Sequence, residues 1–247
     1  MERTAPILVL ETVDSTNTRL KALAREGAAH GTVLLARQQT GGRGRRGRSF
    51  VSPPGGLYLS MLLRPGCEPA RCSTLTPLAA VAVRRAVIAC TAAAPEIKWP
   101  NDLQLAGKKL CGIMTELLSD GEGPQVVIGI GLNGNTRRED FPPALRDTAC
   151  SLRTETGHPV DLDALAERLI GELDGLYAAW CADACCCLEE YRAACSTVGR
   201  EISLLQNGES RPARTLGINE DFSLRVRYPD GSCEDIRFGE VSVRSRA

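Results

Sequence analysis

The chain's 247 residues are 43% apolar and 24% charged, proportions of a soluble globular protein rather than a disordered or fibrous one. Thirty basic side chains balance thirty acidic ones, which excludes bulk attraction to nucleic acid or anionic lipid. Eleven cysteines form an odd set without a CxxC pair, and a chain this long hides roughly 70% of its unfolded surface, so it folds without a disulfide framework.

Ala5–Leu10 is too short for a signal-peptide core and runs into Glu11 without a small-residue cleavage site. No apolar run approaches the length of a membrane span, so a cytoplasmic protein is expected. Pro6–Val13 reads as a strand. Asp14-Ser15-Thr16-Asn17 then caps a helix carrying Leu20, Leu23 and Ala24 that stops at Gly27. Thr32–Gln38 is a second strand, residues 39–56 an aperiodic Gly/Arg/Pro loop, and Leu57–Leu63 a third strand. A helix follows over roughly 73–91. Glu96–Trp99, Leu103–Leu105 and Lys109–Leu118 are strands joined by tight connections, and Gln125–Leu132 is a central strand buried on both faces. Helical patterns fill Asp161–Tyr191, where Cys181, Cys185, Cys186, Cys187 and Cys195 are expected to fill a helix seam as small hydrophobes. After about Cys195, short strands with Asn207-Gly208 and Asp230-Gly231 turns make about fifty residues of small β-barrel.

Three strings and one compositional bias carry the chemistry. Gly42–Arg48 (GRGRRGR) sets four arginines among glycines with no nearby acid, giving guanidinium forks for phosphate and a backbone that ligands can approach closely. Repulsion among its charges predicts a loop that stays mobile until an anion arrives. Lys98-Trp99-Pro100-Asn101-Asp102 puts an ammonium, an aromatic plane and a carboxylate around a rigid turn; Lys98 suits a phosphate and Asp102 a divalent cation or a hydroxyl. Gly129-Ile130-Gly131-Leu132-Asn133 closes a strand with two glycines, a sign of close approach by a ligand or another backbone, and the Asn133 amide suits a base edge. Only four of the thirty basic residues are lysines (Lys21, Lys98, Lys108, Lys109), three of them between 98 and 109. No Walker A loop, G-x-S-x-G elbow or H-E-x-x-H helix is present, and His30 and His158 lie in no charged cluster. What remains suits nucleotidyl transfer, in which positioning and charge neutralisation dominate.

Val13–Asn17, Gln39 with Gly42–Arg48, Lys98–Asp102, Lys109–Ile113 with Glu116, and Gly129–Asn133 stand in order along the chain. In that order and spacing they resemble the biotin protein ligases. The resemblance implies an α+β fold: a mixed-sheet catalytic domain of the biotin/lipoate ligase type, flanked by helices, at 1–195, and an SH3-like β-barrel at 196–247. It implies ATP-dependent formation of biotinyl-5′-AMP, with Mg2+, and transfer to a lysine of a biotin carboxyl carrier domain. Arg43, Arg45, Lys98 and Lys109 would be catalytic. Ser15, Thr16, Asn17, Gln39, Arg43, Gly44, Arg45, Lys109 and Gly112 would bind biotin. Arg43, Arg45, Lys98, Asn101, Asp102 and Asn133 would bind ATP or the adenylate, and Asp102 the metal. Because the motifs begin at Val13, no DNA-binding domain is expected ahead of them; a monomer or homodimer without a membrane contact is implied. A lipoate ligase shares the fold but lacks the GRGRxGR loop, and an RNA-binding module built on the arginine loop is the alternative from another class.

Overall fold

Leu57–Leu63 (β3) and Gln125–Leu132 (β7), the two most continuously apolar strands, pair antiparallel at the middle of a seven-stranded sheet. They belong to a computed structural model that describes residues 4–118, 123–206 and 208–243. The sheet order is β1-β2-β3-β7-β6-β5-β4, with β1 (Ile7–Val13), β2 (Val33–Gln39), β4 (Glu96–Lys98), β5 (Asp102–Leu105) and β6 (Lys108–Leu118) as the other members. Only β1 and β2 run parallel, joined by the crossover helix α1 (Thr16–Arg25); the other pairs are antiparallel, so the sheet is mixed as expected.

Helix α1 buries Leu20 and Ala24 against Leu34, Leu62, Leu118 and Val127 on one face. The opposite face is covered by α2 (Leu75–Thr91), α4 (Leu162–Ala182) and α5 (Leu188–Ala194), while the short α3 (Leu152–Thr156) lies in a stretch without a helical pattern in the sequence. Contrary to expectation, the helical stretch Pro69–Thr91 is long and apolar enough to cross a membrane. Its apolarity serves the core: 61% of its most apolar 18-residue window is buried inside the fold, and Leu75, Leu78, Val81 and Val83 are among the buried residues of the stretch. The cysteine expectation holds in part. Cys187 and Cys195 are buried, but Cys181 and Cys186 are exposed because α4 ends at Ala182 and the run 185–187 lies at the turn before α5.

Five further strands, β8 (Glu201–Gln206), β9 (Glu209–Ile218), β10 (Leu224–Arg227), β11 (Cys233–Ile236) and β12 (Glu240–Val243), form a separate antiparallel sheet in the order β11-β10-β9-β8-β12. Of the Asn207-Gly208 turn expected between its first two strands, Asn207 lies outside the described residues. Trp99 ties the two sheets: its backbone N–H donates to Thr197 Oγ1 at 3.0 Å and its indole Nε1–H to Phe222 O at 3.0 Å, with the side chain only 3% exposed. Trp99→Phe should therefore cost about 1–3 kcal/mol, because it leaves a buried carbonyl unpaired; a thermal or denaturant melt reads the loss.

Candidate active site

The end of β1 and the start of α1 build one end of the site. Ser15 has an extended backbone and accepts the Thr18 N–H, the geometry of a helix N-cap. That cap aims Thr16 and Asn17 inward, and all three side chains are buried. Thr16 N–H donates to Gln39 Oε1 at 2.8 Å, Gln39 Nε2 donates to Ser52 Oγ at 2.9 Å, and Ser52 Oγ donates to Phe50 O at 2.9 Å. Asn17 Nδ2 donates to Glu116 Oε2 at 2.8 Å and to Met114 O at 3.3 Å, while Ser60 Oγ donates to Asn17 Oδ1 at 2.6 Å.

Strand register supplies the floor. Gly129 pairs with Ser60 and Met114, and Gly131 with Tyr58 and Gly112, so glycines cluster across adjacent strands. The glycines imply close approach, as expected, but the chain's own side chains make it. A methyl at 129 would fall 2.1 Å from Asn17 Oδ1, and one at 131 would fall 2.5 Å from Phe50 Cε1. Phe50 also lies over Gly112 and within 5.9 Å of Lys109 Nζ.

The arginine loop is folded back on itself. Gly44 N–H donates to Arg48 O at 2.7 Å, Phe50 N–H to Gly42 O at 2.9 Å, and a left-handed turn at Arg46 and Gly47 reverses the chain. Gly42 has no room for a side chain, since a methyl there would sit 2.3 Å from Phe50 O. Arg45 Nη1 donates to Asn101 Oδ1 at 2.7 Å; burial lowers the Arg45 pKa, and neighbouring Arg46 adds to the effect. The sequence expectation of uncompensated charge is corrected here. Arg48 pairs with Glu240 of β12, which is 192 positions away in the chain and adjacent in space.

The turn between β4 and β5 completes the other end. Lys109 Nζ lies 2.8 Å from Asp102 Oδ1, and Asn101 Nδ2 donates to Ile113 O at 2.9 Å, fixing the amide that receives Arg45. Two cavities meet here and share Gly44, Arg45, Phe50, Asn101 and Lys109 as walls. One, of about 60 Å3, contains the uncharged hydrogen-bonding end: Ser15, Thr16, Asn17 and Gln39, with Arg43, Gly112 and the Gly129/Gly131 floor. The other, of about 200 Å3, adds Lys98, Asp102, Arg48 and Glu240. Arg45 also borders a third cavity, of about 1030 Å3, between the two sheets.

Asn133 is the predicted residue the structure places apart. It is 4% exposed, its Nδ2 donates to Cys150 O at 2.9 Å, and it borders neither of the two joined cavities. Its Nδ2 holds the chain after β7 to the 150 region. Sequence reasoning missed Ser60, Ser52 and Lys21, and it gave Glu116 no role. Lys21 carried a signal, as the fourth lysine of an arginine-rich chain; Ser60 carried none beyond its place opposite Gly129 in the sheet. Among the described residues no three His, Cys, Asp or Glu side chains converge as a metal cluster.

The family model described as "Biotin/lipoate A/B protein ligase family" matches residues 9–133. The chain is 40% identical over 172 residues to the biotin--[acetyl-CoA-carboxylase] ligase of Paracoccus denitrificans, covering 64% of this chain and 69% of that protein. It is 37% identical over 166 residues to the bifunctional ligase/repressor BirA of Bacillus spizizenii, covering 66% of this chain and 51% of that relative, so it spans about half that relative's length. Among solved structures, the biotin protein ligase from Aquifex aeolicus in complex with biotin and ATP superimposes with a TM-score of 0.85 at 29% identity, covering 97% of this chain and 99% of that one.

Proposed function

Because the chain belongs to the biotin/lipoate A/B protein ligase family, we propose that it activates biotin with ATP as biotinyl-5′-AMP and passes the biotinyl group to a lysine of a biotin carboxyl carrier domain. One observation carries this reading: a single cleft has an uncharged hydrogen-bonding end at Thr16 and Gln39, a glycine floor, and a cationic end at Arg43, Arg45 and Lys109. Biotin has the same polarity, with a neutral ureido ring at one end and a carboxylate at the other.

In the first step a biotin carboxylate oxygen attacks the α-phosphorus of ATP. The bond from that phosphorus to the α,β-bridging oxygen breaks, and pyrophosphate leaves. Two anions must meet, so Arg43, Arg45, Lys98 and Lys109 serve by lowering their repulsion as charge builds on the phosphorus oxygens. Asn101 orients Arg45 for this through the 2.7 Å bond. Magnesium bound to the nucleotide supplies further neutralisation. One carboxylate plus substrate phosphates is the usual donor set for that ion, and Asp102, beside Lys109 in the cation-lined cavity, is the contact we assign to it.

In the second step the acceptor amine attacks the carbonyl carbon of the mixed anhydride, the bond to the phosphoryl oxygen breaks, and AMP leaves. The folded arginine loop and Phe50 shield the anhydride from water meanwhile. Residues 1–195 form the catalytic unit in this reading, and 196–247 an SH3-like barrel whose Glu240 anchors Arg48. The protein works in the cytoplasm, where ATP is supplied, as a monomer or homodimer without DNA contact.

Incubation with ATP, magnesium and labelled biotin tests this. Pyrophosphate release and a labelled adenylate, followed by transfer of label to a carrier domain, are expected. Pyrophosphate release with lipoate but not biotin would overturn the substrate assignment. Tight RNA binding without adenylate would overturn the enzyme.

A further inference from the structure

Neither joined cavity is bordered by Lys108 or by Lys21, and Lys21 is held in an ion pair. Its Nζ donates to Glu116 Oε1 at 2.6 Å, with both side chains about four-fifths buried (17% and 21% exposed), and the other carboxylate oxygen receives Asn17 Nδ2. A carboxylate and the Met114 carbonyl can only accept, so the Asn17 amide has one permitted orientation, with Nδ2 toward them and Oδ1 toward Ser60. A hydroxyl carries one proton. The Ser60 proton goes to Asn17 Oδ1, 2.6 Å away, and is withheld from Thr16 Oγ1, whose own proton has two acceptors in reach, Ser60 Oγ at 2.8 Å and Gln39 Oε1 at 3.1 Å. Either way the Thr16 proton stays within the protein, and the lone pairs of Thr16 Oγ1, spared the Ser60 proton, are left for a donor entering the cleft.

We infer that the Lys21–Glu116 ion pair, on the side of Asn17 away from Ser60, is a positioning and specificity device: it turns Asn17 Oδ1 toward Ser60, draws the Ser60 proton away from Thr16 and so keeps Thr16 Oγ1 an acceptor for a ligand N–H. Hydrogen bonds in such a chain strengthen one another, and the charge at its end removes the alternative orientation, in which a reversed Asn17 amide would leave the Ser60 proton to Thr16. This rests on the proposed function, in which that N–H belongs to the biotin ureido ring.

The test is calorimetric titration of the full chain with biotin and with a cyclic carbamate analogue in which one ureido N–H is replaced by oxygen. Wild type is measured first: absence of biotin binding there overturns the proposed function itself. Given binding, Glu116→Ala should weaken biotin by about ten- to a hundredfold, the range of a charged hydrogen bond, and should narrow the preference for biotin over the carbamate. The KM for ATP should stay within about twofold. Lys21→Met should weaken biotin by a smaller factor and Lys21→Arg should restore it; this pair reports even where Glu116→Ala folds poorly. A purely structural ion pair would lower the melting temperature and leave the biotin-to-carbamate ratio unchanged. An unchanged ratio in both Glu116→Ala and Lys21→Met, or in Lys21→Met alone where Glu116→Ala does not fold, overturns the inference.

Discussion

Arg45→Ala should reduce the rate of adenylate formation by about a hundred- to a thousandfold while leaving the melting temperature within a few degrees of wild type. The magnitude is that of removing one pre-placed charge from a site where charge develops in the transition state. Arg45 is suited to that position. It lies at the wall common to three cavities, its Nη1 is held by Asn101, and burial has already stripped much of its solvation, which the lowered pKa reflects. A cation whose desolvation cost is met on folding contributes more to an arriving anion than one that must shed water at the moment of reaction. The fold should be indifferent, because Asn101 keeps its bond to Ile113 O and the loop keeps its backbone bonds. Single-turnover pyrophosphate release, read beside a melt, separates the two effects. Loss of activity that tracks loss of folded protein would defeat the assignment, and so would wild-type adenylate yield.

The elements were legible where local chemistry sufficed. Leu57–Leu63 and Gln125–Leu132 fall within their expected bounds because unbroken apolar runs in this sheet are buried on both faces. The Ser15 cap and the α1 start after it follow from side chains competing for the first backbone N–H groups. The short α3 at Leu152–Thr156 was not legible, since five residues give too few turns for a period to register.

The site divides in the same way. Residues such as Arg43, Arg45, Lys98, Asp102 and Lys109 stand out in the sequence through type and spacing, and the fold brings them to joined cavities. Residues that act through register or through long loops do not stand out. Ser60 matters because β3 places it opposite Gly129, and Glu240 matters because the second sheet packs its last strand against the arginine loop. Asn133 is the converse case: its type and its place beside two glycines suit a base, and the fold adds what the sequence does not carry, an Nδ2 bond to Cys150 O that anchors the chain leaving a central strand.

Gly129 is the position at which the smallest chemical change should do the most harm. Gly129→Ala adds one methyl that would lie 2.1 Å from Asn17 Oδ1 and 2.7 Å from its Cγ. A free side chain would swing away, but Asn17 is held by Glu116, Met114 O and Ser60 at once. Relief therefore means breaking those bonds or separating α1 from the sheet, a cost of about 1–3 kcal/mol for an overpacked interior. Because the same amide organises Thr16, biotin affinity should fall by about a hundredfold, beyond the loss from stability alone. Gly131→Ala makes the control. Its methyl meets the end of the Phe50 ring, 2.5 Å away, a side chain with no hydrogen bonds to hold it, so the ring can shift and the biotin loss should be about tenfold or less. Calorimetric titration of both variants, each checked for a folded transition, ranks them. Equal effects would mean that crowding of the floor, and not the orientation of Asn17, governs the cleft.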